Sequence, residues 1–192
     1  MDIVEYEATY ENIDKDEIRE RLRKAGAKLL KPEFLQKRIN FYPPLKKRNK
    51  SGWIRVRDEG DKITMSFKAN YSEEGITRQK EICLEVNNYE KAVAFLDTIL
   101  ERKAYQETKR EIWELDGVEI DIDTWPWLEP FVEIEGKNEE EVKKISEKLG
   151  FDYSKALFCA VGEQYQRKYG IPHADVNNKI KLVTFKTPNP FI

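Results

Sequence analysis

The chain has 192 residues, with 34 Lys and Arg against 36 Asp and Glu for a net charge of −2, a size that supports one domain with a substantial core and a small appendage. That balance argues against a protein that wraps nucleic acid or coats an anionic membrane, since both tasks need a strongly basic surface. No run of about 18 apolar residues is long enough to span a membrane, and the first thirty residues hold no apolar secretory segment, so a cytoplasmic location is expected.

In chain order, IVEYEATY (3–10) alternates as a strand with Glu5 and Glu7 on one face. NIDKDEIRERLRKAGA reads as a helix: Asp14 is the N-cap, Ile18, Leu22 and Ala25 share a face, and Gly26 ends it. FLQKRINFY (34–42) is a strand stopped by Pro43 and Pro44, and LKKRNKSG (45–52) a basic hairpin loop. Two strands follow in GWIRVRDEGDKITMSFKA about a turn at Asp58–Asp61, then a polar loop NYSEEGIT (70–77).

A second round begins with the strand RQKEICLEV and the helix NNYEKAVAFLDTILERK, capped by Asn87 or Asn88. The strands ETKREIWEL, VEIDID and FVEIEG come next, then a helix KNEEEVKKISEKLG capped by Asn138 and another, SKALFCAVGEQYQRKYG, capped by Ser154. From Ile171 onward the chain is punctuated by Asn and Pro, with one strand-like run, KIKLVTFK. The order strand–helix–strand–strand–strand thus occurs twice. Cys83 and Cys159 sit far apart inside apolar-periodic segments and read as reduced core residues. His173 is the single histidine, which argues against a zinc site or a histidine-based triad.

Splitting the strands at period two sorts charge by face. Trp53, Arg55 and Arg57 oppose Ile54 and Val56, and Ser66 and Lys68 oppose Met65 and Phe67. Glu81, Cys83 and Glu85 oppose Ile82 and Leu84; Glu119, Asp121 and Asp123 oppose Ile120 and Ile122; Glu133 and Glu135 oppose Val132 and Ile134. An antiparallel sheet with one wet face alternates in this way too. Here, however, each sign is clustered on its own strands, and clustering costs repulsion unless opposite charge lies between. Eight such strands closed into a barrel would line a lumen with acids and bases. A polyphosphate with divalent cations satisfies both at once: carboxylates hold Mg²⁺ or Mn²⁺, and guanidinium and ammonium groups hold phosphoryl oxygens.

EYEAT (5–9) resembles the ExExK motif of the CYTH family, the triphosphate tunnel metalloenzymes, and WIRVR, SFKA, TKREIWEL and IDIDTWPWLEPFVEIEG resemble later family segments in the same order. QYQRKYG is similar to a tyrosine-containing element of the class IV adenylate cyclases. The resemblance implies an α+β fold, a closed eight-stranded antiparallel β-barrel with helices packed on its outside, spanning 1–170 with a C-terminal extension at 171–192. It also implies a metal-dependent enzyme; together with the charge balance and the lack of targeting signals, the expectation is a cytoplasmic monomer or homodimer with no nucleic-acid or membrane partner. Its substrate would be ATP, converted to cyclic AMP and pyrophosphate; alternatively ATP, inorganic triphosphate or thiamine triphosphate would be hydrolysed.

Carried over by position, Glu5, Glu7, Asp121, Asp123, Glu133 and Glu135 would be metal ligands, with Glu7, Asp123 and Glu133 catalytic. Arg38, Arg55, Arg57 and Lys68 would hold the phosphates, joined by Lys109 or Arg110, of which only one can face inward. The motif lysine is Thr9 here, which keeps open a third alternative, a non-catalytic binder of nucleotides or polyphosphate. WPW (125–127) reads as packing at the tunnel mouth or as a base-stacking platform.

Overall fold

The computed structural model describes residues 3–4, 6–44, 52–70 and 79–192. Glu5 and the loops expected at 45–52 and 70–77, except for their outermost residues 52 and 70, lie outside them. The strands are β1 (Ile3–Val4), β2 (Tyr6–Tyr10), β3 (Lys28–Phe41), β4 (Gly52–Asp58), β5 (Ile63–Asn70), β6 (Gln79–Val86), β7 (Arg102–Leu115), β8 (Val118–Thr124), β9 (Phe131–Gly136) and β10 (Leu182–Val183). The helices are α1 (Lys15–Ala25), α2 (Tyr89–Asp97), α3 (Glu139–Lys148), α4 (Val161–Tyr169) and α5 (His173–Lys179). The doubled strand–helix–strand–strand–strand order is therefore present. None of the described helices is long and apolar enough to cross a membrane.

The strands form one curled sheet in the order β1-β6-β5-β4-β3-β7-β8-β9-β2, antiparallel throughout, with β10 added parallel to β7. Its two ends are the successive segments β1 and β2, one paired to β6 and the other to β9. Glu5, which joins them, lies outside the described residues, and among the described strands no ladder closes the curl into the expected barrel.

The outer face carries the helices. α1 and α3 pack Ile18, Leu22, Val142 and Ile145 against Ala8, Trp113, Ile120, Ile122 and Ile134. α2 packs Val93 and Leu96 against Ile39, Phe41 and Val56. The caps are those the sequence announces: Asp14 accepts from the N–H groups of Asp16 and Glu17, Asn88 from Lys91, Asn138 from Glu141, and Gly26 turns with φ +84°. Outside the reach of α2, Ile82 and Leu84 on β6 stay exposed, so the helices do not cover every apolar strand face. Cys83 between them is exposed as well and Cys159 half-buried; both are free thiols, but Cys83 is not a core residue.

Three elements depart from expectation for tertiary reasons. β3 starts six residues early and runs through Pro32, because the register with β7 jumps between Leu29/Lys31 and Lys31/Phe34, where a missing N–H breaks no ladder. The second helix ends at Asp97 rather than near Lys103, since Arg102–Tyr105 are claimed by pairing with β3. The helix expected from Ser154 is only a 3₁₀ turn at Tyr153–Lys155. Leu157 then bonds Thr9 in both directions, N–H to carbonyl at 2.9 and 3.0 Å, which holds the chain extended until α4 begins at Val161. Of KIKLVTFK only Leu182–Val183 pair. A third apolar cluster joins Trp125, Phe131, Tyr165, Val176 and Val183, seating α4, α5 and β10 over one end of the curl.

Candidate active site

Register decides which side chains meet inside the curl. Across β2, β9 and β8 the pairs Glu7↔Glu135↔Glu119 and Glu133↔Asp121 stack acids on neighbouring strands. Across β3 and β4 the pair Arg38↔Arg57 stacks two cations, and one level along Arg55 lies opposite Asn40, with Lys68 on β5 opposite Trp53. Both walls border one cavity of about 260 Å³. Glu7, Asp123, Glu133, Glu135, Arg38, Arg55, Arg57, Lys68 and Arg110 all line it. Asp121 lies just behind, 3% exposed. Lys109 is the exception: it points outward, 3.7 Å from Glu33 and over the Phe185 ring, because β7 places even-numbered residues inward at this level. The inward-facing member of that pair is Arg110.

Arg110 grips the acidic wall. Its Nε and Nη2 fork onto Asp123 at 2.8 and 2.5 Å, its Nη2 also reaches Glu133 at 2.6 Å, and its Nη1 pairs with Asp121. Burial alone would lower its pKa, but Asp121, Asp123 and Glu133 outweigh burial and hold it well above the ordinary value. Burial pushes Asp121 well above the usual carboxylate range despite Arg110, and lifts Glu133 to about 7, with Asp123 adding to the rise. Glu119 is raised by burial and then by Glu135.

The cationic wall is less neutralised. Arg55 and Lys68 share Glu81 at 3.1 and 3.3 Å, and Arg57 meets Glu59 at 2.5 Å. Arg38 is bonded instead to neutral groups, Gln36 at 2.8 Å and the Thr108 hydroxyl, and lies 4.8 Å above the Trp125 ring. Burial, followed by Arg55, Arg57 and Arg110, drives its pKa well below the ordinary value. A buried guanidinium surrounded by like charge is an energetic cost that an anion would relieve.

The donor set on the acidic wall is entirely carboxylate oxygen, which suits Mg²⁺ or Mn²⁺, and Asp121 Oδ1 is buried without a hydrogen-bond partner among the described residues. Among the described residues no group of three such side chains is arranged to hold a metal ion as it stands; Arg110 lies among three of them. The chemistry of this donor set fits a divalent cation.

Thr9 is fully buried with its hydroxyl unpartnered among the described residues, beside Glu133 in register and bridged to Leu157. Trp125 serves the third core cluster and Arg38, while Trp127 donates to the Thr187 carbonyl at 3.1 Å and packs on Phe191. Trp127 is thus committed to packing, whereas Trp125, 7% exposed, also lines the cavity. Residues that the sequence did not single out also line the cavity: Asn40, Gln106, Lys103 and the start of α4 at Ala160–Gly162. Only the inward parity of Asn40 on β3 was readable in advance.

The family model described as the CYTH domain matches residues 4–160. No curated protein matches the sequence. The fold is similar to that of a Vibrio parahaemolyticus protein described as a "putative adenylate cyclase" (TM-score 0.70, 12% identity, covering 85% of this chain and 98% of that one). It is also similar to a conserved hypothetical protein of Pyrococcus furiosus (TM-score 0.66, 19% identity, 81% and 96% covered). A third is a Hippeastrum protein described as having a dominant triphosphatase activity (TM-score 0.57, 14% identity, 90% and 99% covered).

Proposed function

The chain belongs to the CYTH family, and from that premise we propose that it is a Mg²⁺- or Mn²⁺-dependent enzyme that holds a triphosphate-bearing substrate between the two walls of its cavity and cleaves it. The first reading is that of a class IV adenylate cyclase, ATP to cyclic AMP and pyrophosphate. The observation that carries it is the facing of a cationic wall, in which Arg38 bonds no carboxylate among the described residues, and an all-carboxylate wall across one cavity.

In this reading Arg38, Arg55, Arg57 and Lys68 bind phosphoryl oxygens, Arg in forked geometry. Asp123 and Glu133, supported by Glu7, Glu135 and Asp121, would hold the divalent cation; Glu5 is assigned to the same wall from sequence alone. When bound, the cation neutralises charge on the phosphates. In the same reading Glu133 would take the proton of the attacking hydroxyl on a carboxylate oxygen that the cation does not use. Arg110 must release the acids before they serve either task, and its freed guanidinium is then available to the phosphates.

Hydrolysis is the second reading. It is favoured by the triphosphatase activity described for the Hippeastrum protein, and it needs the same parts with water in place of the ribose hydroxyl. Incubation with ATP, inorganic triphosphate and thiamine triphosphate in the presence of Mn²⁺, resolving cyclic AMP from orthophosphate, tests both. Cyclic AMP supports the first and orthophosphate alone the second. Binding without turnover of any of the three overturns the enzymatic reading.

A further inference from the structure

Asn40 on β3 and Gln106 on β7 border the cavity from neighbouring strands, close to Arg38 and to the start of α4. Asn40 Nδ2 donates to Gln106 Oε1 at 2.8 Å, and both residues are more than nine-tenths buried. That bond uses one N–H of the Asn40 amide and one lone pair of the Gln106 carbonyl. It leaves Asn40 Oδ1 buried with no partner among the described residues, and the NH₂ of Gln106 sits on the same carboxamide that accepts the bond. If both amides are reversed together the roles exchange, but the pair still offers one acceptor next to one donor. A buried acceptor with nothing to accept from is costly, and the phosphates that the cationic wall awaits have no hydrogen to give it.

We propose that the Asn40–Gln106 pair reads the head group of the substrate, and that this head group is a nitrogen heterocycle with a hydrogen-bond donor next to an acceptor on its edge. This rests on the triphosphate reading given above. An exocyclic amine donates to Asn40 Oδ1 while the adjacent ring nitrogen accepts from Gln106 Nε2, the two-point match that amide side chains make with an amino-substituted base. Adenine and a 4-aminopyrimidine such as that of thiamine share this edge. Bare inorganic triphosphate leaves both amide groups unanswered, so it binds through the charged walls alone.

The test is equilibrium binding by calorimetry of four organic triphosphates: ATP, purine riboside triphosphate (which lacks the amine), thiamine triphosphate and its analogue lacking the 4-amino group. Inorganic triphosphate is the control. The amine is expected to improve Kd at least about fivefold in one pair, the purine or the pyrimidine, which identifies the source. Asn40→Leu erases that preference while leaving the affinity for inorganic triphosphate unchanged; Gln106→Met serves if the first variant fails to fold. Equal affinity with and without the amine in both pairs overturns the inference and leaves the triphosphate reading intact. Persistence of the preference in both variants overturns it too. Failure of inorganic triphosphate and all four organic ligands to bind overturns the triphosphate reading itself.

Discussion

Arg110 carries the heaviest electrostatic duty of any side chain described, one guanidinium against Asp121, Asp123 and Glu133. Removing one partner from a buried ionic cluster leaves uncompensated charge, so Arg110→Ala should cost about 3–5 kcal/mol of stability in the metal-free protein. Because the acids then want another cation, added Mn²⁺ should recover more of the melting temperature in the variant than it adds to the parent. Thermal unfolding with and without Mn²⁺ measures this, and an equal increment in both would show that Arg110 does not stand where the cation goes. Glu133 supplies the pH dependence. Its folded pKa, raised by burial and then by Asp123 to about 7, lies above its ordinary value. The folded state thus holds the proton more tightly, and that contribution is complete below about pH 4.5 and lost as pH rises through 7. Glu133→Gln should therefore gain stability relative to the parent between pH 5 and 8, by up to roughly 3 kcal/mol. A difference in melting temperature that stays flat across that range would contradict the assignment. At this scale the sequence was partly readable: IDID and FVEIEG announce acids on one face by alternation. Whether Lys109 or Arg110 faces them was not, because the answer lies in the β7–β8 register, which no local pattern encodes.

Among the elements, α4, α5 and β10 decide how one end of the cavity is finished. Val176 and Val183 cover Trp125, Phe131 and Tyr165, and Tyr165 donates its hydroxyl to the Pro126 carbonyl at 2.6 Å. Trp125 in turn lies under the guanidinium of Arg38. The segment 171–192, which the sequence suggests as an extension, is thereby linked to the cationic wall. Val183→Asp, which places a carboxylate among these rings, should cost about 2 kcal/mol or more and weaken triphosphate binding through Arg38. Denaturant unfolding and calorimetry on the same variant read both effects; lost stability with unchanged affinity would confine the segment to packing. The caps of α1, α2 and α3 were legible because Asp14, Asn88 and Asn138 act within one turn. The late start of α4 was not, since Leu157 is drawn into an extended bridge by Thr9, nearly 150 positions away in sequence. That same bridge buries Thr9, so the position of the motif lysine belongs here to backbone pairing, and the cations of the cavity come from β3, β4, β5 and β7.

Taken as a whole, the molecule separates its charges by topology: β3, β4 and β5 supply cations, while β8, β9 and β2 supply carboxylates from the other side of β7 and from the far end of the sheet. A ligand that touches both walls ties together strands joined otherwise only through the curl, so it should stabilise the entire fold. Triphosphate at a hundred times its Kd should add about 2.7 kcal/mol, or roughly 5–11 °C in melting temperature for a chain of this length. The two walls are distinguished by how they fail. Arg55→Ala removes phosphate binding and should abolish most of that thermal shift with or without divalent cation. Glu7→Gln keeps a side chain of the same shape in the acidic wall, so the shift given by triphosphate alone should survive. Only the further shift on adding Mn²⁺ should go, with turnover falling about a hundredfold or more. Neither change removes an apolar contact, so both variants should fold. If Glu7→Gln instead loses triphosphate binding in the absence of cation, the acidic wall is holding the fold around the phosphates rather than serving the metal, and the division of labour between the walls fails.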